Sequence, residues 1–329
     1  MRRRRAAWRA LASSAFAALS IGLAGRAVSA QGLPAFAPIN PLAQSRSGLS
    51  FEAYHTAHPG TWAASFALDY GSMIESGQRQ RATVLLDAEV LRVGVSVRRD
   101  LSRETFLLGD VTAGGAYAGF LDGFLHGYHG LLGITVPERE ARPRNAFAYR
   151  VALPGAAVDR SASSAFLGDV RLGIGRRAGR RVQLQSLLAV TLPTSTAPGG
   201  YGRGTVSFNL LNTLHTRLGG PWVFDASVSG GVTPVHGALA SYQRSAFLAG
   251  SSGLRFRFWG RQSLYANVFY HSPYYHDTGL RAMDRRELSL DFGWILATRS
   301  GREWRIGMTE DMEPSGPAID LIFRLGSAR

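Results

Sequence analysis

The sequence predicts an all-β protein: an antiparallel transmembrane β-barrel of about 12 strands, with 14 as the alternative count, carrying a helix-bearing extracellular excursion. Three observations predict it. Residues 286–298 alternate strictly, with Leu288, Leu290, Phe292, Trp294 and Leu296 on one face and Glu287, Ser289, Asp291 and Gly293 on the other. That period of two is a strand with one apolar and one polar face. The pattern recurs along the chain behind an export-type leader. Connections between the recurring strands alternate between short and long, as in barrels of the outer membrane.

The leader comes first. Arg2–Arg5 and Arg9 form a charged start, Leu11–Gly25 a short apolar stretch, and Val28-Ser29-Ala30 a small-residue cleavage site before Gln31. Residues 1–30 therefore read as a cleaved secretory signal. Ser13, Ser14 and Ser20 interrupt a stretch already too short to span a bilayer, which argues against a retained anchor. No other apolar run approaches spanning length, and a closed barrel needs none, because its backbone is satisfied between strands. The chain has no Cys, which excludes disulfides and a lipidated Cys anchor. Six of its 37 basic residues fall in the leader; the rest, all Arg, alternate with apolar positions against 23 acids. Scattering of that kind suits a solvated lumen and loops, and no nucleic-acid partner is expected.

Residues 31–60, with Pro34, Pro38, Pro41 and Pro59, read as an irregular N-terminal segment, and 61–329 as the barrel. Trp62, Ala64, Phe66, Leu68 and Tyr70 share one face of the first strand, 61–70. In 82–98 the apolar positions slip from even (Val84, Leu86) to odd (Leu91, Val93, Val95, Val97), and a β-bulge near Val90–Leu91 is the expected cause. Further strands are expected at 104–111, 166–175, 180–192, 204–217, 221–233, 246–258, 262–271, 286–298, 303–309 and 318–326. Short turns separate them on one rim and long loops on the other, which places both termini in the periplasm. Trp222, Phe224, Phe256, Phe292, Trp294, Trp304 and Phe323 are expected to face lipid. Asp69, Arg92, Asp169, Arg171, Arg255, Arg257, Asp291, Arg305 and Arg324 are expected to face the lumen.

The segment 112–165 breaks the alternation. Phe120, Leu121, Phe124, Leu125, Tyr128, Leu131 and Leu132 recur at helical spacing. Gly115, Gly119, Gly123 and Gly127 form a second row, expected to let the helix dock closely. This insert is expected at or inside the mouth as a lid or plug. Asp122, His126 and His129 sit at i, i+4 and i+7 and could hold a divalent metal. Their spacing matches no metal motif, so a solvated polar face is the expected role, with no metal and no cofactor. Arg139, Arg142 and Arg144 follow, as solvated charges or contacts to anionic solutes and lipopolysaccharide phosphates. A loop holding His271, Ser272, His276 and Asp277 leaves an outer-membrane acyl hydrolase conceivable, yet no nucleophile-elbow motif accompanies it. No catalytic residue is assigned.

Three segments carry a resemblance. Gly119-Phe120-Leu121-Asp122-Gly123-Phe124-Leu125-His126-Gly127-Tyr128-His129 resembles the signature of domain-of-unknown-function family 3187, approximately Gly-Phe-Leu-Asp-x-Phe-Ile-x-x-Phe-His. Leu167-Gly168-Asp169-Val170-Arg171-Leu172 and Glu310-Asp311-Met312 through Asp320 are similar to its less specific strand openings and closing segment. The resemblance covers most of the chain after the leader. It implies an outer-membrane barrel and transfers no activity. The strand around Phe323 departs from the usual aromatic terminus by running on through Gly326-Ser327-Ala328-Arg329.

The functional expectation is a channel or uptake pore for small solutes, amphipathic ones included, in the outer membrane of a Gram-negative bacterium. Candidate lumen or lid residues are Asp122, His126, His129, Arg142, Asp169, Arg171, Arg255, Arg257, Asp291 and Arg305. Expected partners are outer-membrane lipid and lipopolysaccharide, the barrel-assembly machinery and an unidentified small solute. A non-transporting structural or surface-binding barrel and the hydrolase stay open as alternatives.

Overall fold

The computed structural model describes residues 36–46, 53–133, 139, 142–179, 181–313 and 321–328, without the side chains of His129 and Leu132. The leader lies outside these residues.

Among the described residues fifteen strands form one sheet, and twelve of them close into an antiparallel barrel. The wall runs β1 (Trp62–Arg79), β2 (Ala82–Asp100), β3 (Thr105–Tyr117), β7 (Val170–Ala178), β8 (Val182–Leu192), β9 (Ser207–Gly219) and β10 (Trp222–Val232). It continues through β11 (Ala246–Trp259), β12 (Gln262–His271), β13 (Glu287–Ala297), β14 (Glu303–Asp311) and β15 (Leu321–Ala328). Pairing of β1 with β15 closes it. The other three strands extend the wall above the long-loop rim. β4 (Ala148–Leu153) takes up the top of β2, β5 (Ala156–Arg160) pairs with β4, and β6 (Ser164–Leu167) pairs with the top of β3. Both ends of the barrel chain, Trp62 and Ala328, lie on the short-turn rim. At one turn there, Gly219 and Gly220 adopt φ of 109° and 53°, which side chains resist. Among the described residues no helix is long and apolar enough to cross a membrane; the strands do the crossing.

Register assigns the faces. Asp69 stands opposite both Arg92 and Arg324, and alternate residues from each carry the same face around the wall. Outward lie large apolar side chains with much of their surface uncovered, among them Phe66, Val95, Leu172, Leu188, Leu210, Leu264 and Ile306. This is the belt that lipid covers. Trp62, Trp222, Trp259 and Trp304 sit at the short-turn ends of their strands, where aromatic girdles meet the membrane surface.

The ladder between β1 and β2 runs without a register shift from Trp62↔Arg99 to Arg79↔Ala82, so there is no bulge at Val90–Leu91. The apolar residues change face instead. Leu91, Val93, Val95 and Val97 point to lipid. Val84, Leu86, Ala88 and Val90 point inward, into a buried cluster with Ile39, Leu42, Ala43, Met73, Tyr149, Tyr275 and Met283. The phase slip marks the height at which the apolar surroundings move from outside the barrel to inside it.

What fills the inside is the N-terminal segment. Phe36 lies against Phe269, ring centroids 4.3 Å apart, and beneath the Arg324 guanidinium at 4.6 Å. The Pro38 carbonyl accepts from Arg92 at 3.1 Å. A single helical turn, Pro41–Gln44, follows, capped by Asn40, whose side chain accepts from the Leu42 N–H at 2.9 Å. Residues 53–58 pass back down the lumen. Ala53 accepts from Gln185 at 3.3 Å, Tyr54 stacks on His215 at 4.7 Å, and the His58 N–H reaches Asp100 at 2.8 Å beside the short-turn rim.

Candidate functional site

The lumen and its plug form the candidate site. Inward strand positions hold charges of both signs at neighbouring registers, and these pair across the strands. Asp69 accepts from Arg92 at 3.0 Å and from Arg324 at 2.9 Å. Arg324 lies 3.5 Å from Asp291, whose other near partner is the Thr309 hydroxyl at 2.9 Å. Arg171 meets Asp110 at 2.5 Å, and Arg255 meets Glu303 at 2.8 Å. Nearer the short-turn rim, Asp100 joins Arg98 at 3.2 Å and Arg177 at 2.8 Å, and His215 pairs with Asp225 at 2.9 Å. Arg257 and Arg305 face the same space from β11 and β14.

At the other end the plug is fastened by Arg46, which is 2% exposed. Its guanidinium donates to the carbonyls of Thr233, Pro234 and Arg244, three acceptors of one long loop. Burial lowers its pKa to about 10, with Tyr275 opposing the shift and Arg203 reinforcing it, so it stays charged at neutral pH. Ser45 and Tyr275 meet at 3.4 Å through their hydroxyls. Ile39 and Leu42 are each 1% exposed, and burial of such side chains contributes about 1.5–3 kcal/mol apiece. These contacts hold residues 36–46 inside the barrel.

Cavities lie along it among the described residues. A vestibule of about 310 Å³ opens between Ser45, Arg160, Pro198, His236 and Tyr275. An inner chamber of about 90 Å³ lies below, between Pro38 and Gln44 of the plug and Arg92, Asp110, Phe166 and Arg171 of the wall. Asp169, Ser195, Gly202 and Arg203 line both. Asp169 and Arg203 pair there at 3.1 Å, and Asp169 also accepts from the Ser195 N–H at 3.0 Å. An ion pair thus stands where one cavity meets the next. Asp169 was expected on a strand; it is placed instead in the crossing between β6 and β7.

The insert sits elsewhere. β3 runs on to Tyr117, so Gly115 belongs to a strand, and the helix spans Asp122–Leu132. It lies on the outside of the wall, not in the mouth. Leu121 and Leu125 pack on Leu321, Tyr70, Met308 and Phe323, all outward side chains of β1, β14 and β15. Asp122 is tied to Arg139 and to the Asn145 N–H, and Arg142 meets Asp87 at 2.9 Å. His126 is exposed, and the His129 side chain lies outside the described residues. Among the described residues no group of three His, Cys, Asp or Glu could hold a metal ion. Nor do the loop residues form a nucleophilic chain. His271 Nδ1 faces the Ser272 carbonyl, the Ser272 hydroxyl accepts from the Leu248 N–H, and His276 pairs with the exposed Asp277.

The glycine row does not dock. A side chain at Gly123 or Gly127 would meet nothing within 4 Å. Gly119, by contrast, has φ of 73°, and a Cβ there would overlap the Glu89 carboxylate. Gly123→Ala should stabilise the helix by about 0.5–1 kcal/mol. Gly119→Ala should detach the insert, seen as new protease cleavage within 118–147 of a folded barrel. Equal cleavage in the two variants would refute this assignment.

A family model described as "Protein of unknown function (DUF3187)" matches residues 26–327. No curated protein matches the chain. Among solved structures, the COG4313 outer membrane channel from Pseudomonas putida F1 is similar at 12% identity and a TM-score of 0.54, covering 83% of this chain and 97% of that one. The NanC porin aligns at 5% identity and a TM-score of 0.46, over 82% and 98%. The toluene transporter TodX of Pseudomonas putida aligns at 12% and 0.40, over 90% and 97%. The first of these shows a shared fold.

Proposed function

The chain belongs to the DUF3187 family, and from that premise we propose that it is an outer-membrane channel for small solutes, closed at rest by its own N-terminal segment. One observation carries this reading: two interior cavities follow the plug in series and meet at the Asp169–Arg203 pair. The described role of the Pseudomonas putida F1 fold neighbour, an outer membrane channel, agrees with it. A solute enters the vestibule, displaces the partition and passes along the wall beside residues 36–46. Asp169, Arg171, Arg255, Arg257, Asp291 and Arg305 line the way; Asp122, His126 and Arg142, on the outer wall, do not.

In this reading residues 1–30 are removed on export, and the barrel-assembly machinery seats the wall in the outer membrane through β15. Lipopolysaccharide surrounds its upper rim, with Arg144 free to meet phosphate. Swelling of liposomes holding the purified barrel tests the channel, with glycerol and arabinose as solutes. Swelling above protein-free liposomes is expected from a barrel lacking residues 36–46, and little from the full barrel, which its plug closes. No swelling, either from the full barrel or from one lacking residues 36–46, would leave a sealed structural barrel as the answer.

A further inference from the structure

The outer wall is not uniformly apolar. On β9, β10 and β11 the outward face stays apolar up to the long-loop ends, where Phe208, Val232 and Leu248 are about half exposed. On β1, β2 and β14 it does not. Above Tyr70, Leu91 and Met308 the outward positions become Ser72, Glu89, Asp87 and Glu310. Left bare, this sector would set carboxylates against hydrocarbon toward the long-loop rim, where β9, β10 and β11 across the barrel still present apolar side chains.

The insert covers that sector group by group. Glu89 accepts from the Leu121 N–H and from the Tyr70 hydroxyl. Asp87 takes Arg142, Ser72 accepts from Arg139 at 3.2 Å, and Glu310 accepts from Tyr128 at 3.5 Å. Beside these contacts Leu121 and Leu125 close over Leu321 and Phe323. Phe120 and Phe124 touch Tyr70 and Phe323 of the wall and stay 70% and 52% exposed, and Leu131 is 86% exposed. Large apolar groups so uncovered beside a lipid-facing belt have one continuous partner.

We propose that the helix Asp122–Leu132 is seated in the outer leaflet of the membrane, its Phe120, Phe124 and Leu131 face packed on lipid acyl chains. It replaces the missing part of the apolar belt and takes the outward acids out of contact with hydrocarbon. The residues that sequence spacing offers as a metal face or a mouth lid thus serve to fasten a membrane-facing patch, with Asp122 holding Arg139 across its base.

The chain has no Cys, so single labels report cleanly. Phe124→Cys and Leu131→Cys, spin-labelled in phosphatidylcholine vesicles, are compared with Leu210→Cys on the belt and Asp277→Cys in an exposed loop. Collision rates with molecular oxygen and with a water-soluble nickel chelate are read at each site. Labels at 124 and 131 should match the belt site, favouring oxygen severalfold over the chelate relative to 277. Preference for the chelate, as at 277, would place the helix in water and overturn the proposal. Shielding from both probes would overturn it too, by showing protein, such as a second copy of this chain, on that face. Leu131 is 86% exposed among the described residues, so its variant tests the idea even if Phe124→Cys disturbs the contact with Phe323.

Discussion

Deleting residues 36–46 is expected to raise single-channel conductance in planar bilayers on the order of tenfold, because a barrel of about twelve strands is wide enough to leave an open lumen. The deletion removes Phe36 from Phe269, Pro38 from Arg92 and the three-carbonyl anchor of Arg46. It leaves every wall pairing intact, so heat-modifiable electrophoretic mobility should still report a folded barrel. Arg46→Ala is the gentler version. It frees only the upper end of the plug, so brief openings to the same level should replace steady conductance. Unchanged conductance in a folded deletion would mean that inward side chains and residues 53–58 close the lumen by themselves.

The wall was legible in the sequence because its two faces meet opposite solvents. Leu288–Leu296 and Asp291 show it: alternate residues go to lipid and to a lumen where Asp291 meets Arg324 and Thr309. Alternation says which residues share a face, and nothing about what lies against that face. Val84–Val90 looked out of phase with Leu91–Val97 for that reason, and a bulge was the local explanation. The actual cause is the plug, which carries Pro38 and Pro41, has no periodicity and finds partners far along the chain at Arg92, Phe269 and Arg324. Helical spacing found the helix at 122–132 but could not choose its side of the wall. A signal for that choice was present, since Asp87 and Glu89 interrupt the outward row that Leu91–Val97 begins. Acids at outward positions call for a cover.

Asp69→Ala should destabilise the barrel by about 3–5 kcal/mol, the cost of removing one partner from buried charges. Asp69 is 1% exposed and holds two guanidiniums, Arg92 and Arg324, so its loss strands both. Asp291 then faces Arg324 alone. Asp69→Asn keeps a carbonyl acceptor and loses the charge, so it should fall between the two. Phe66→Ala, three residues away on the lipid face, should cost far less, because acyl chains refill the space. Unfolding in urea from lipid vesicles measures all three. The size of the Asp69 effect also reports how wet the lumen is. A loss under about 1 kcal/mol would place the network among solvated ion pairs and refute a lumen sealed from water at this height. The plug supplies part of that seal, through Pro38 on Arg92 and Phe36 under Arg324. The two changes should therefore be coupled: in a barrel lacking residues 36–46, water reaches both guanidiniums, and Asp69→Ala should cost visibly less than it does with the plug in place. Equal costs in the two backgrounds would show that residues 36–46 shield nothing, and the resting closure would then belong to the wall.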